Sequence, residues 1–383
     1  MQTRKLYYED CHLTDFSAKV LSCEKTEKGY AVVLDATAFY PEGGGQACDL
    51  GLLGNAHVLD VQEKGETIVH VCDQALPVGA LVAGIIDYDR RFDLMQQHTG
   101  EHIISGIIHR RFGYQNAGFH VGADVLTVDF DGMLSQEALS EIEEEANRIV
   151  YQNLPLRCWY PSQEELPTVF YRTKRALPWP VRLVQIPGVD SCACCGVHTA
   201  YTAEVGLIKL FSCVKFHKGV RIEMACGERA RKLMNAIYEQ NRLVSQAFSA
   251  KPTETGAAAK RMNEALAAEK FRSTGLQKQV FAMTAQLYAG QTLALHFAQR
   301  LTPAQLRELA EQICRQAQLA AVFTGEDGAY EVCLAGAQAR PVGAELTKAL
   351  SGRGGGKDGF FQGKLSCTER EIREFFIKHM KNS

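Results

Sequence analysis

Two short segments carry side chains of the kind that bind metal ions: His98-Thr-Gly-Glu-His102 and Cys194-Cys-Gly-Val-His198. On a helix, the four-residue step of the first sets both imidazoles on one face, within reach of one ion. In the second, Cys194 and His198 bracket a glycine-containing turn, so a thiolate and an imidazole can close the coordination from another element. Zinc suits this mixture of soft thiolate and borderline imidazole better than magnesium or calcium does. One Zn²⁺ per chain on His98, His102, Cys194 and His198 is therefore the expectation. Cys192 and Cys195 crowd the same turn and leave the choice of thiolate open.

Two glycine-rich loops are the other places where backbone can approach a ligand. In Tyr40-Pro-Glu-Gly-Gly-Gly-Gln46, Gly43, Gly44 and Gly45 allow positive φ and close approach to another segment. In Ser351-Gly-Arg-Gly-Gly-Gly-Lys357, Arg353 and Lys357 flank a loop whose N–H groups could cradle phosphate. The second loop lacks the Walker spacing and a following Ser or Thr, which argues against an ATP site.

The pattern of apolar residues says which elements position these groups. Strands are expected over 30–39, in a hairpin over 57–73 that turns at Lys64-Gly65, and over 81–88, giving a small β-rich, barrel-like domain over 1–91. Phe92 to Phe112 reads as the helix carrying the first histidine pair, stopped by Gly113. A strand over 126–130, a helix over 135–152 with Leu139, Ile142, Ala146 and Ile149 inward, and strands at 155–160, 182–186, 205–211 and 220–225 follow. They make an α/β domain over 92–227 with helices on a mostly antiparallel sheet. Stripes at Leu233, Ile237, Val244 and Phe248, and at Leu276, Val280, Met283 and Leu287, predict a helical hairpin or coiled coil over 228–290, which could also be a dimer seam. Residues 291–383 read as a small α/β domain. It has a helix from Thr302-Pro303 to about 318, a hairpin over 320–335 turning at Asp327-Gly328, and a capping box at Thr368-Glu-Arg-Glu371. The fold class is α+β.

The chain has 383 residues, 46% hydrophobic and 22% charged, an ordinary globular composition that excludes disordered and fibrous classes. Its net charge of -2 hides a basic stretch that includes Lys215, Lys218 and Arg221, so contact with nucleic acid is not excluded. Thirteen cysteines, an odd number, with no secretory leader and no long apolar run, fit a reducing, cytoplasmic setting and no membrane span.

The run Thr37-Ala-Phe-Tyr-Pro-Glu-Gly-Gly-Gly-Gln46 with Asp49 and Gly51 resembles the glycine-rich signature of the editing half of alanyl-tRNA synthetases and of the free-standing AlaX proteins. Asp87-Tyr-Asp-Arg-Arg91 leading into His98-x3-His102, the Cys194-x3-His198 pair and Gly219-Val-Arg-Ile-Glu223 are similar to their zinc helix, second ligand pair and closing strand. Gly352-Arg-Gly-Gly-Gly-Lys357 resembles the loop of the synthetases' C-terminal domain, itself similar to a domain of DHH-type phosphoesterases. Cys195 and Val197 depart from the usual Gly and Thr. Because the chain starts near the glycine-rich motif, the resemblance implies a long-type, stand-alone hydrolase. It would act in trans, without ATP, on mischarged seryl-tRNA(Ala) and possibly glycyl-tRNA(Ala), sparing alanyl-tRNA(Ala).

Within that reading Thr37 would recognise the serine hydroxyl and Gln46 would position substrate or water. Glu101 stands as a candidate general base. Gly43, Gly44, Gly45, Lys215, Lys218, Arg221, Arg353 and Lys357 would contact the tRNA. A closed four-ligand zinc is usually structural, so catalysis would need water or substrate to take a ligand position. Competing readings are a zinc-stapled tRNA-binding module without catalysis, and an H-x-x-E-H metallopeptidase of the inverzincin type, for which Cys194-x3-His198 is the wrong later element.

Overall fold

Alternating burial along the N-terminal strands closes them on themselves. The computed structural model describes residues 2–173 and 177–382, and begins with β1 (Arg4–Lys5), β2 (Asp15–Thr26), β3 (Gly29–Leu34), β4 (Ala36–Thr37), β5 (Gly51–Leu53), β6 (Ala56–Lys64), β7 (Thr67–Cys72) and β8 (Leu81–Ile86). Six of them form a closed barrel in the order β2-β3-β7-β6-β5-β8, while β1 and β4 pair in parallel beside it. Every second residue of β7, Ile68, His70 and Cys72, points inward to meet Val32 and Leu34 of β3. The strand expected over 30–39 is broken at Asp35, whose carboxylate accepts the Lys19 N–H at 2.8 Å. Strand β2 was not foreseen. Its apolar face is thin, with Ala18 and Val20 among charged neighbours, and it is held by pairing on both edges.

Helix α1 (Tyr88–Phe112) starts four residues earlier than its apolar pattern suggests, because Asp87 accepts the Arg90 N–H as N-cap. Gly113 ends it in the left-handed region, with φ 75°. The helix is buried on all sides over its middle turns. Two glycines permit this: a Cβ on Gly100 would stand 2.2 Å from the Cys226 sulfur, and one on Gly106 would stand 2.6 Å from the Val189 carbonyl oxygen.

Behind α1, an antiparallel sheet runs in the order β14-β15-β10-β9, from Ile208–Phe216, Gly219–Cys226, Leu126–Phe130 and Asn116–Val121. Helix α2 (Gln136–Tyr151) packs on it through the four apolar residues expected, capped by Ser135. A three-stranded sheet, β11 (Arg157–Trp159), β12 (Leu183–Ile186) and β13 (Asp190–Ala193), leads directly into Cys194. All these elements, with most of α3 (Gly227–Ala247), lie in one compact unit, Met1–Val244.

The second unit, Ser245–Ser383, contains α4 (Thr255–Gln286), β16 (Leu293–Ala298), α5 (Pro303–Cys314), β17 (Leu319–Glu326), β18 (Ala329–Ala335), α6 (Ala339–Ala349), β19 (Arg353–Gly355), β20 (Phe360–Leu365) and α7 (Glu369–Asn382). Its sheet runs β16-β17-β18-β20-β19, with only β16 and β17 parallel. Capping boxes at Thr302 and Thr368 start α5 and α7. Against α5, α4 uses Phe281 and Ala285, packed with Leu306 and Leu309. The stripe Leu276, Val280, Met283 and Leu287 lies off that buried face and is exposed. The chain is thus a mixed α/β protein with several sheets and, among the described residues, seven α-helices.

Candidate metal centre

The two ligand pairs converge. One ligand atom each from His98, His102, Cys194 and His198 lies within 4.8 Å of the others, and all four residues are deeply or partly buried. The Cys194 sulfur is 3.3 Å from Nε2 of His98 and 3.7 Å from Nε2 of His198. Donors arranged tetrahedrally about a zinc ion stand roughly 3.3 to 3.8 Å apart. Nε2 of His102 is buried without a hydrogen-bond partner among the described residues. An orphaned buried nitrogen facing a sulfur and two further imidazoles is what a metal-binding set looks like without its ion, so the residues fit a metal.

Other side chains hold two of the rings from behind. Nδ1 of His98 meets the Gln46 carboxamide oxygen at 2.8 Å, and Nδ1 of His102 meets Asp190 at 2.9 Å. Both contacts leave Nε2 to face the centre, as ligating histidines require. Asp190 is in turn gripped by Arg172 through two bonds of 2.7 Å. The turn between Cys194 and His198 is fixed by Arg182, whose Nη1 donates to the Cys194 and Gly196 carbonyls at 3.0 and 2.9 Å. A Cβ on Gly196 would stand 2.2 Å from the His98 ring, so only glycine fits there.

Charges follow this arrangement. Burial alone would raise the Cys194 thiol, but the His98 and His198 rings beside it hold it well below its ordinary range. Burial pushes His198 down to about 3, keeping it neutral. Asp190, despite burial, is held down to about 2 by Arg172 and His102. A low-pKa thiol grouped with imidazoles is the donor chemistry a borderline cation takes.

The centre borders a cavity of about 880 Å³ whose wall includes His98, Glu101, His102 and Cys194. Glu101 faces this cavity beside the ligands; its Oε1 accepts from Asn116 Nδ2 at 2.5 Å and from the Ser105 hydroxyl. Gly44 also lines the cavity, whereas Gly45 is spent on contact: its Cβ would stand 2.5 Å from the Phe119 ring.

Gln46 and Thr37 are both buried, and neither lines the cavity. Gln46 is 1% exposed; its oxygen meets His98 and the Val197 N–H at 3.2 Å, while its Nε2 has no hydrogen-bond partner among the described residues. Thr37 is fully buried in the barrel and does not line the cavity. Nδ1 of His70 faces the Val32 carbonyl at 3.1 Å and so carries the proton. The Thr37 hydroxyl therefore donates to Nε2 of His70 at 2.8 Å while accepting the Phe39 N–H at 3.1 Å, which spends its one proton inside the protein.

Among the basic residues, Arg221 is committed to Asp129, at 2.7 and 2.8 Å, and lies over the Phe216 ring. Lys215 and Lys218 are exposed at the β14–β15 hairpin, and Arg353 and Lys357 are exposed in the second unit. Of the competing thiols, Cys192 groups only with His102 and Asp190, and Cys195 joins neither cluster. Asp190, Arg172 and Arg182 were missed. The only signal was the nearness of Asp190 to Cys194, and nothing in the spacing links either to His102.

Comparison with known proteins agrees with this layout. A family model described as "tRNA synthetases class II (A)" matches residues 2–90, which include the glycine-rich loop. One described as "Threonyl and Alanyl tRNA synthetase second additional domain" matches residues 181–223, which include Cys194 and His198. The alanine–tRNA ligase of Thermofilum pendens is 32% identical over 392 residues, covering 96% of this chain and 43% of the ligase. The chain thus spans less than half the length of the ligase. The alanyl-tRNA editing protein Aarsd1-B of Xenopus laevis is 26% identical over 401 residues, covering 98% of this chain and 97% of that protein. The solved C-Ala domain of Aquifex aeolicus alanyl-tRNA synthetase matches 24% of this chain and 91% of its own at 20% identity, with a TM-score of 0.22. Among the described residues no helix is long and apolar enough to cross a membrane. The ordered motifs, the converged ligand pairs and these matches together make the chain similar, over nearly its whole length, to the alanyl-tRNA editing proteins of Xenopus laevis.

Proposed function

We propose that the chain hydrolyses the ester linking a wrong amino acid, serine or glycine, to the terminal ribose of tRNA(Ala), leaves alanyl-tRNA(Ala) intact, and holds zinc. The observation that carries this reading is the clustered His98, His102, Cys194 and His198 set, of which His98, His102 and Cys194 line a cavity that also presents Glu101. Similarity to the two Xenopus laevis alanyl-tRNA editing proteins over 98% of the chain supports the same reading.

His98, His102, Cys194 and His198 would hold the zinc, which would supply Lewis-acid polarisation to water or an ester carbonyl that took a ligand position. Glu101 takes the proton from the attacking water. As the carbonyl carbon gains that oxygen, the bond to the ribose oxygen breaks; the amino acid leaves as its carboxylate and the ribose oxygen receives a proton. Gln46 and Asp190 keep the His98 and His102 rings from turning, and Ser105 and Asn116 hold the Glu101 carboxylate toward the cavity. Lys215, Lys218, Arg353 and Lys357, exposed as they are, contact tRNA phosphates, whereas Arg221 does not.

The test is deacylation of seryl-, glycyl- and alanyl-tRNA(Ala) side by side by zinc-verified protein. Rapid loss of the seryl ester with the alanyl ester intact is expected. Glu101→Gln should lower kcat by about 10²-fold or more with zinc content unchanged. Tight tRNA binding with no turnover would replace this reading by that of a zinc-stapled binding module, and peptide cleavage would replace it by a peptidase.

A further inference from the structure

The cavity beside the ligand set has a second, aromatic wall that the chemistry above does not use. Arg182, after bonding the two carbonyls of the metal turn, lays its guanidinium over the Tyr8 ring, 4.2 Å from the centroid. Tyr8 donates its hydroxyl to the Cys195 carbonyl at 2.6 Å and meets Tyr160 edge-on at 6.4 Å. Tyr160 is 50% exposed. It lines the same cavity together with Pro178 and Pro180.

A half-exposed Tyr160 ring that shares the cavity wall with two prolines, and packs edge-on against the Tyr8 anchored to the turn carrying the metal thiolate, offers a flat apolar face near the centre. Stacking on such a face is how proteins hold a single-stranded nucleobase regardless of its hydrogen-bonding edge. We infer that Tyr160, backed by Tyr8 and Arg182, is the platform on which the base of the substrate's terminal nucleoside stacks. Its ring thereby sets how far the ester reaches toward His98 and Glu101. This rests on the deacylase reading only for the identity of the ligand.

The experiment reads binding instead of turnover. The zinc-loaded full chain is titrated calorimetrically with 3′-seryl-amino-3′-deoxyadenosine, an amide in place of the ester, and with the same compound lacking adenine. Wild type is expected to bind the adenine compound about 10-fold or more tightly than the baseless one. Tyr160→Ala should abolish most of that ratio without changing affinity for the baseless compound, and Tyr160→Phe should keep it. Equal affinity of wild type for both compounds, equal weakening of both by Tyr160→Ala, or no binding of either overturns the inference. If adenine-dependent, Tyr160-dependent binding is found but seryl-tRNA(Ala) is left intact, the deacylase reading fails and the platform stands. Hydrolysis with base-independent binding sinks only the platform.

Discussion

Asp190 accepts a hydrogen bond from Nδ1 of His102 at 2.9 Å while both of its oxygens engage Arg172, so one carboxylate sets the rotation of a metal-binding ring. That carboxylate reaches α1 because Gly106 offers no Cβ where Val189 and Asp190 pass over the helix.

Asp190→Asn therefore predicts a metal centre that still forms but holds its ion less tightly. The amide keeps the size of the side chain, yet it loses the charge that favours an Nδ1-protonated ring and a basic Nε2. Affinity measured by competition with a chelator should fall by roughly 10- to 100-fold. Arg172→Met, which leaves Asp190 in contact with His102, should fall less. An unchanged affinity in Asp190→Asn would mean that packing alone positions the His102 ring.

A second prediction concerns the buried pair that ties the glycine-rich loop to the metal-bearing helix. Arg91, 1% exposed at its side chain, contacts both oxygens of Asp49, and Asp49 also accepts the Tyr40 N–H at 2.5 Å. Removing one partner strands the other charge in the interior. Arg91→Met should cost about 3 to 5 kcal/mol in urea unfolding. The double variant Arg91→Met/Asp49→Leu should recover part of that loss. A cost below about 1 kcal/mol for the single change would show that water reaches the stranded carboxylate.

Much of this arrangement was legible in the chain because local rules govern it. Gly113, Ser135 and the Thr302 and Thr368 boxes announce helix ends through bonds within a few residues, whereas the Asp87 cap was passed over for the first apolar residue, Phe92. The histidine and cysteine pairs announce their spacing in the same way. Less legible was anything decided by register between distant strands. Asp129 stands directly opposite Arg221 in the β10–β15 pairing, which is why a residue read as a nucleic-acid contact is internally paired. His70 points into the barrel beside Thr37 for the same kind of reason, and β13, which delivers Asp190, is too short and polar to show a period of its own. On α4 the apolar stripe was read one residue away from the face that packs, since several of its faces carry apolar residues.

Thr37 supplies a third prediction, one that separates burial from recognition. Thr37→Val keeps the shape but leaves Nε2 of His70 and the Phe39 N–H without their partner. The expected result is a loss of about 1 to 3 kcal/mol of stability, with the ratio of seryl to alanyl deacylation unchanged. A collapse of that ratio at full zinc content would return Thr37 to the substrate.

His70 itself gives the fourth prediction, through pH. Burial holds its ring down to about 4 against an ordinary value near 6.5. Between those values the unfolded chain binds a proton that the folded chain does not, so stability rises with pH across this window and is lost as pH falls through it. Fully expressed below pH 4, the difference amounts to about 3 kcal/mol. Folded Asp190 adds a loss only at still lower pH, since its carboxylate stays ionised down to about 2. Because His198 is also depressed, the comparison must isolate His70. Metal-free wild type and His70→Leu are unfolded in urea from pH 7 to pH 4. The variant starts less stable, having stranded the Thr37 hydroxyl, but its stability should fall with acid by markedly less than that of wild type. Parallel pH dependences in the two proteins would show that the His70 ring takes up its proton as readily folded as unfolded.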